Sequence, residues 1–204
     1  MMFASIISNY LAKVSLYKQK LLCNSQQMVY AISDLDEVPH ISPRIPLNYE
    51  FISNSLDLAK YIQNPEIKKY VHKFQYFLDH GSSLYLVFTE GDIAGYYWVV
   101  DLSKFKPYLF TNSQLFDGNV TTYFIFFCKT FENYRNLGIY SYMLTQICRD
   151  PRFYNGKIMI STVLANYASQ RGIEKAGFRK FFTLRYLNIG GVKLIDNFKK
   201  IEGS

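Results

Sequence analysis

The residues whose types and spacing most clearly suit chemistry are Arg135-Asn136-Leu137-Gly138-Ile139-Tyr140. They stand between a strand-like stretch, Tyr123–Thr130, and a stretch of helical spacing, Leu137–Arg149. A glycine where a helix begins lets a ligand approach the backbone with no side chain in the way. The first helical turn offers free N–H groups and the positive end of the dipole, which together hold phosphate oxygens. Arg135, just ahead, adds a planar, fork-shaped cation. The same glycine would also serve a tight strand-to-helix turn with no ligand, and a motif this short matches by chance.

A second element lies one strand further on. Asn166-Tyr167-Ala168-Ser169-Gln170-Arg171-Gly172-Ile173-Glu174-Lys175-Ala176-Gly177-Phe178 places an Asn at a strand end, then a short helix, then Gly-Phe leading into another strand. In this order and at this separation the two elements resemble the GNAT superfamily of acyl-CoA N-acyltransferases, and most of all the members in bacterial surface-polysaccharide pathways. Arg135 and Gly138 match the first motif of that family, and Asn166, Ser169, Gly177 and Phe178 match the second. The resemblance covers about Val120 to Phe198, and the hairpin Ser83–Asp101 fits the two strands that precede the first motif. Residues 1–80 match only as a generally helical region.

The resemblance implies a mechanism. Two neighbouring parallel strands, here Tyr123–Thr130 and Lys157–Leu164, would splay apart. The pantetheine arm of acetyl-CoA, or of another acyl-CoA, would bond the first strand's backbone as an added strand does, at Cys128 and Thr130. The turn Arg135, Asn136, Leu137, Gly138, Ile139 and Tyr140 would hold the pyrophosphate. Asn166 and Ser169 would face the pantetheine or adenosine. A small-molecule acceptor, an amino sugar or nucleotide sugar, would attack the thioester with its amine directly, helped by orientation and proton transfer. Longer-chain or carrier-protein-dependent transfer at a membrane surface stays open, as does a module that binds CoA without turnover.

Two departures stand out. Tyr140 replaces a small residue, so either its side chain points away from the phosphates or the pocket is reshaped. Ile173 stands where many members carry a Tyr that protonates the leaving thiolate, and Ile cannot donate; Tyr167 is a nearby substitute. The first splayed strand has no carboxylate, so the base candidates are Tyr123, Asp101, Glu132 or a water chain. The catalytic set expected is therefore Tyr123, Asp101 and Tyr167. Cys128 in an aromatic strand reads as a small buried hydrophobe. An acyl-cysteine route would need an activating His, and His40, His72 and His80 lie far upstream.

The elements that must position these groups follow from periodicity. Strands are expected at Met28–Ile32, Ser83–Thr89, Ile93–Asp101, Val120–Thr130, Lys157–Leu164, Phe181–Ile189 and Val192–Phe198. Helices are expected at Leu56–Ile62, Pro65–Asp79, Leu137–Arg149 and Ala168–Ala176. The three prolines of Val38–Pro46 mark a loop, Lys104–Gly118 another, and Gly190-Gly191 a turn. This is an α+β (mixed α/β) layout around one mixed, mostly antiparallel sheet flanked by helices. One domain, 1–204, is expected. In Met1–Gln27, Phe3, Ile7, Tyr10, Val14, Tyr17 and Leu21 recur by four and three, which predicts an extra amphipathic helix. It would pack on the domain or on a second subunit, so a homodimer is open, or it would lie on a membrane surface.

Composition sets the outer bounds. The chain has 204 residues, 49% hydrophobic and 19% charged, a globular balance. Its net charge of +7 attracts anions. With no block of Lys and Arg and no recognition motif, a phosphate-bearing small molecule fits better than nucleic acid. Three cysteines, with no CxxC, suggest neither a disulfide framework nor zinc, and no metal is expected. Reduced thiols point to a cytoplasmic setting.

Overall fold

A computed structural model describes residues 22–32, 36, 38–104, 120–189 and 192–201, with side chains in 22–25 and 186–200 left aside. Among these residues eight strands form one sheet: β1 (Leu22–Ile32), β2 (Asn48–Ile52), β3 (Ser82–Thr89), β4 (Asp92–Asp101), β5 (Thr121–Thr130), β6 (Gly156–Val163), β7 (Arg179–Ile189) and β8 (Val192–Lys200). Their spatial order is β2-β3-β4-β5-β6-β1-β7-β8. Neighbours run antiparallel except β5 and β6, which run parallel. The helices are α1 (Ser55–Leu58), α2 (Pro65–Lys68), α3 (Val71–Asp79), α4 (Ile139–Cys148) and α5 (Tyr167–Lys175).

Local chemistry explains the elements. Glu90 and Gly91 close the β3–β4 hairpin with φ of 51° and 90°, the paired positive values of a tight hairpin turn. The Asn54 carboxamide accepts from Asp57 N–H at the start of α1, and Asn64 caps α2 with Pro65 at its first position. At the end of α5, Phe178 N–H bonds Ile173 O and Gly177 N–H bonds Glu174 O, with Gly177 at φ 93°. This Schellman stop seats Phe178 in the core beside Ile173.

The sheet is packed on both faces. On one, Tyr30, Tyr85, Tyr97, Ile125, Ile158 and Ile160 meet Ile139, Met143, Leu144 and Ile147 of α4 and Ile173 of α5. On the other, Leu84, Leu86, Tyr96 and Trp98 meet Leu58, Ile67, Phe74, Phe77 and Leu78 of the first three helices. Burying Val, Leu, Ile or Phe side chains at this scale contributes about 1.5–3 kcal/mol each.

Several expectations change. The stretch expected as one helix from Pro65 to Asp79 is two, because the chain turns at Lys69–Tyr70. The turn sets the Tyr70 ring against Phe74, Tyr96 and Phe127. The helix expected over 1–27 does not extend to its end: Leu22–Gln27 belongs to β1 and pairs with β7 from Leu22↔Ile189 to Gln27↔Leu184. The backbone groups of β7 claim that stretch, and a spacing of three and four in apolar residues does not prevent strand pairing. Residues 1–21, most of the Lys104–Gly118 loop, and the Gly190-Gly191 turn lie outside the described residues. The edge strand β2 was not expected: it is only five residues long and follows directly on the proline-rich loop. No helix among the described residues is long and apolar enough to cross a membrane.

Candidate functional site

The site begins where β5 leaves β6. Their parallel pairing runs from Thr121↔Gly156 to Ile125↔Ile160 and stops. Beyond it β6 stays with β1 as far as Gln27↔Val163, while β5 stays with β4 as far as Gly95↔Thr130. Among the described residues the edge of β5 from Phe126 to Thr130 therefore has no strand partner on its β6 side. A bulge sits at the parting point. Tyr96 faces Lys129 and Trp98 faces Phe126, so two β5 residues oppose Tyr97, and Phe127 has φ 45°. Gly95 makes the bulge fit, because a Cβ there would collide with Lys129 O.

After β5 the chain makes one 3-10 turn, Glu132–Tyr134, and then reaches the glycine turn. Asn136 and Gly138 both take positive φ, 64° and 80°. Gly138 is the N-cap of α4 and no side chain caps it. The first bond of the helix runs from Tyr142 N–H to Gly138 O at 3.1 Å. The N–H groups of Ile139, Tyr140 and Ser141 thus have no acceptor within the helix. The turn is braced from behind, where Arg44 N–H donates to Leu137 O at 3.0 Å. The helix was expected to open at Leu137. It opens at Ile139, because left-handed backbone at Gly138 cannot continue a right-handed turn.

Between the free edge of β5 and the first turns of α4 and α5 lies a cleft of about 530 Å³. Cys128, Thr130, Arg135, Asn136, Gly138, Ile139, Tyr140, Asn166 and Ser169 all line it. Leu137, the remaining residue of the expected cofactor set, packs against the core instead. Lys129, Tyr134, Ser141, Ala168 and Gly172 complete the lining and were missed in sequence. Of these, Gly172 carried a readable signal, a glycine inside a helix opposite a large residue. Among the described lining residues there is no carboxylate.

Individual partners refine the roles. Arg135 is 57% exposed and meets Glu132 only at 3.6 Å, leaving its guanidinium available at the rim. Lys129 is engaged by Glu66 at 2.6 Å. Asn166 Oδ1 accepts from Ser169 N–H at 3.1 Å, so it first of all caps α5. Ser141 Oγ donates to Gly172 O at 2.9 Å and ties the two helices together. The Tyr97 hydroxyl shares a 2.9 Å bond with Thr130 Oγ1. Desolvation in the cleft wall pushes the half-buried Cys128 thiol up to about 12, which keeps it protonated at neutral pH.

Tyr140 resolves the first departure. Its ring lies 6.0 Å from that of Tyr97 at 25° and occupies the space that Gly172 leaves empty. The large side chain turns inward and reshapes the pocket floor. The three expected catalytic groups are elsewhere. Tyr123 packs on Phe153 at 4.8 Å, and Asp101, opposite it in register, accepts from Ser103 N–H and Oγ. Tyr167 is 68% exposed. None of the three lines the cleft. Ile173 is fully buried and Glu132 is exposed away from the lining. No group of three His, Cys, Asp or Glu suited to a metal occurs among the described residues.

A mostly antiparallel sheet, one parallel pair that parts midway, and a glycine-capped helix after the first of those strands define the GNAT fold. Solved structures share the overall fold. A functionally unknown conserved protein from Staphylococcus epidermidis matches with TM-score 0.55 and 11% identity, over 86% of this chain and 66% of that one. A Drosophila protein matches with TM-score 0.53 and 11% identity, over 90% of this chain and 57% of that one. A GCN5-related N-acetyltransferase-like protein from Streptococcus suis matches with TM-score 0.51 and 12% identity, over 89% and 67%. The chain thus spans 57% of the length of the Drosophila protein and about two thirds of the other two. At these identities the likeness is one of fold. No protein-family model and no curated protein matches the sequence.

Proposed function

We propose that the chain is an acyl-CoA-dependent N-acyltransferase that moves an acetyl group to the amine of a small acceptor. The observation that carries this reading is a single cleft with two complementary halves. Uncapped N–H groups at the start of α4, with Arg135 at the rim, suit a diphosphate. The unpartnered edge of β5, Phe126–Thr130, suits an extended amide-bearing arm. A ligand spanning both would carry a diphosphate at one end and a peptide-like chain at the other, which describes coenzyme A.

When bound, acyl-CoA supplies an activated carbonyl. The chain's own part is to fix that carbonyl at the bulge around Phe127, where the strands part, and to leave one side open to an amine. An amino sugar or nucleotide sugar is our preferred acceptor, and a cytoplasmic setting belongs to the same reading.

A second reading, a CoA-binding module without turnover, has one observation in its favour: the described cleft lining holds no carboxylate to act as base. Thiol release from acetyl-CoA, measured over a panel of amines that includes amino sugars, separates the two. Turnover with any amine supports the transferase. Saturable CoA binding with no release across the panel supports the module.

A further inference from the structure

One apolar patch of the sheet is buried with no helix among the described residues lying on it. The register sets Val100 opposite Phe124, Phe124 opposite Met159 and Met159 opposite Ala31, and beside that row Val29 stands opposite Phe182. Residues paired across strands point to one side, so these form a continuous apolar surface over β4, β5, β6, β1 and β7. Val29, Phe124, Met159, Phe182 and Leu184 are each 1% exposed or less, and among the described residues they cluster only with other strand residues and Leu102. The other two clusters draw on helices, α4 and α5 on the opposite face and α1 to α3 over β3 and β4. A patch this apolar stays dry beneath another apolar surface.

Two stretches outside the described residues are long enough to supply that surface, 1–21 and 105–119. The second joins the neighbouring strands β4 and β5, whereas the patch runs on to β7. The first leads directly into Leu22 of β1, a strand inside the patch. At about 100° per residue, Phe3, Ile7, Tyr10, Val14, Tyr17 and Leu21 fall within an arc of about 80°, and Lys13, Lys18 and Lys20 fall outside it. A helix of that length reaches roughly 30 Å. The way back from Leu22 to Val29 is about 23 Å of strand, and the width of the patch is about 19 Å.

We propose that residues 1–21 form an amphipathic helix whose apolar stripe lies on this patch, on the side of the sheet away from α4 and α5. The stripe is then taken up by the chain's own sheet and not by a membrane or a second copy, and the lysines are left to solvent. The docked helix also lies beside Phe126, which packs against the patch and is the first β5 residue past the parting from β6.

Photo-crosslinking of the full chain tests this, with Ile7→p-benzoylphenylalanine and Tyr10→p-benzoylphenylalanine as separate variants. The excited ketone inserts into nearby C–H bonds and favours those of methionine. Methionines mark the two faces of the sheet: Met159 lies in the patch, while Met28 and Met143 lie on the α4 side. The expected product is a single chain with its adduct at Met159, read by peptide mass spectrometry, and at least about fivefold less of it from Lys13→p-benzoylphenylalanine. The yield should be unchanged by vesicles of phosphatidylglycerol. Adducts at Met28 or Met143, on residues 105–119 in place of Met159, or between two chains would overturn the proposal. Loss of the Met159 adduct on adding vesicles, or no adduct from either variant, would overturn it equally.

Discussion

Gly172 and Tyr140 are complementary across the two helices that frame the cleft: a Cβ on Gly172 would stand 2.5 Å from Cδ1 of Tyr140. A ring replaces a small residue on α4, and a missing side chain on α5 makes room for it. Gly172→Ala is therefore expected to destabilise the fold by about 1–3 kcal/mol, the usual effect of overpacking. Adding Tyr140→Ala should recover part of that loss, which thermal melts of the single and double variants would reveal. Additive losses would show that the two positions do not share one space.

Cys128 lines the cleft, but its thiol is pushed up to about 12 by burial, and the buried Cys148 likewise. Iodoacetamide at neutral pH should spare both in the native protein and label both after denaturation, as read by peptide mass spectrometry. Cys128→Ala should keep at least about half the thiol-release rate, because the proposed transfer has no acyl-cysteine step. A dead Cys128→Ala variant with normal CoA affinity would point to covalent catalysis instead.

Asp150 ends the helix α4 layer and is held by Tyr85 and Arg152, whose guanidinium also lies 3.4 Å above the Phe51 ring. Burial alone would raise the Asp150 carboxyl, but the hydrogen bonds from Arg152 and Tyr85 win and hold it below its ordinary value. A carboxyl depressed on folding adds stability at pH above about 4, its unfolded value, and loses it as pH falls through the lower folded value. Acid melts of the wild type should therefore steepen below about pH 4, and Asp150→Asn should flatten that limb. At neutral pH the same variant should be about 1–3 kcal/mol less stable, a range kept modest because the Arg152 head is half exposed.

Asp101→Asn, Tyr123→Phe and Tyr167→Phe should each leave CoA affinity and thiol release within about twofold of wild type. Asp101 serves the turn at Ser103, Tyr123 packs on Phe153, and Tyr167 faces solvent. A kinetic survey that finds one of them inactive with CoA binding intact would restore it to the reaction.

The turn at Gly138 was legible because a glycine between a strand and a helix marks a change of backbone direction, and its neighbours Arg135 and Asn136 reach the cleft by chain connectivity alone. The splay of β5 from β6 was what the family resemblance implied, and no residue of either strand shows it by type or spacing. The catalytic candidates were not legible. Tyr123 and Asp101 were chosen as polar groups on the right strands, but which side of the parting point they occupy depends on register, and Ile125↔Ile160 ends the pairing after them. Tyr140 looked like a departure from a pattern because its partner, Gly172, lies on a different helix and is distant in sequence. The end of the N-terminal stretch was misread for the same reason: Leu22–Gln27 takes its structure from β7, a strand more than 150 residues away.

The central claim is that the amides opening α4, with Arg135 beside them, hold the diphosphate of coenzyme A. Isothermal titration of coenzyme A into the wild type and into Arg135→Glu tests it most directly. The account predicts saturable binding at one site and a loss of about tenfold on charge reversal, shrinking as salt is raised. No heat with the wild type, or equal affinity in the two proteins, would contradict it.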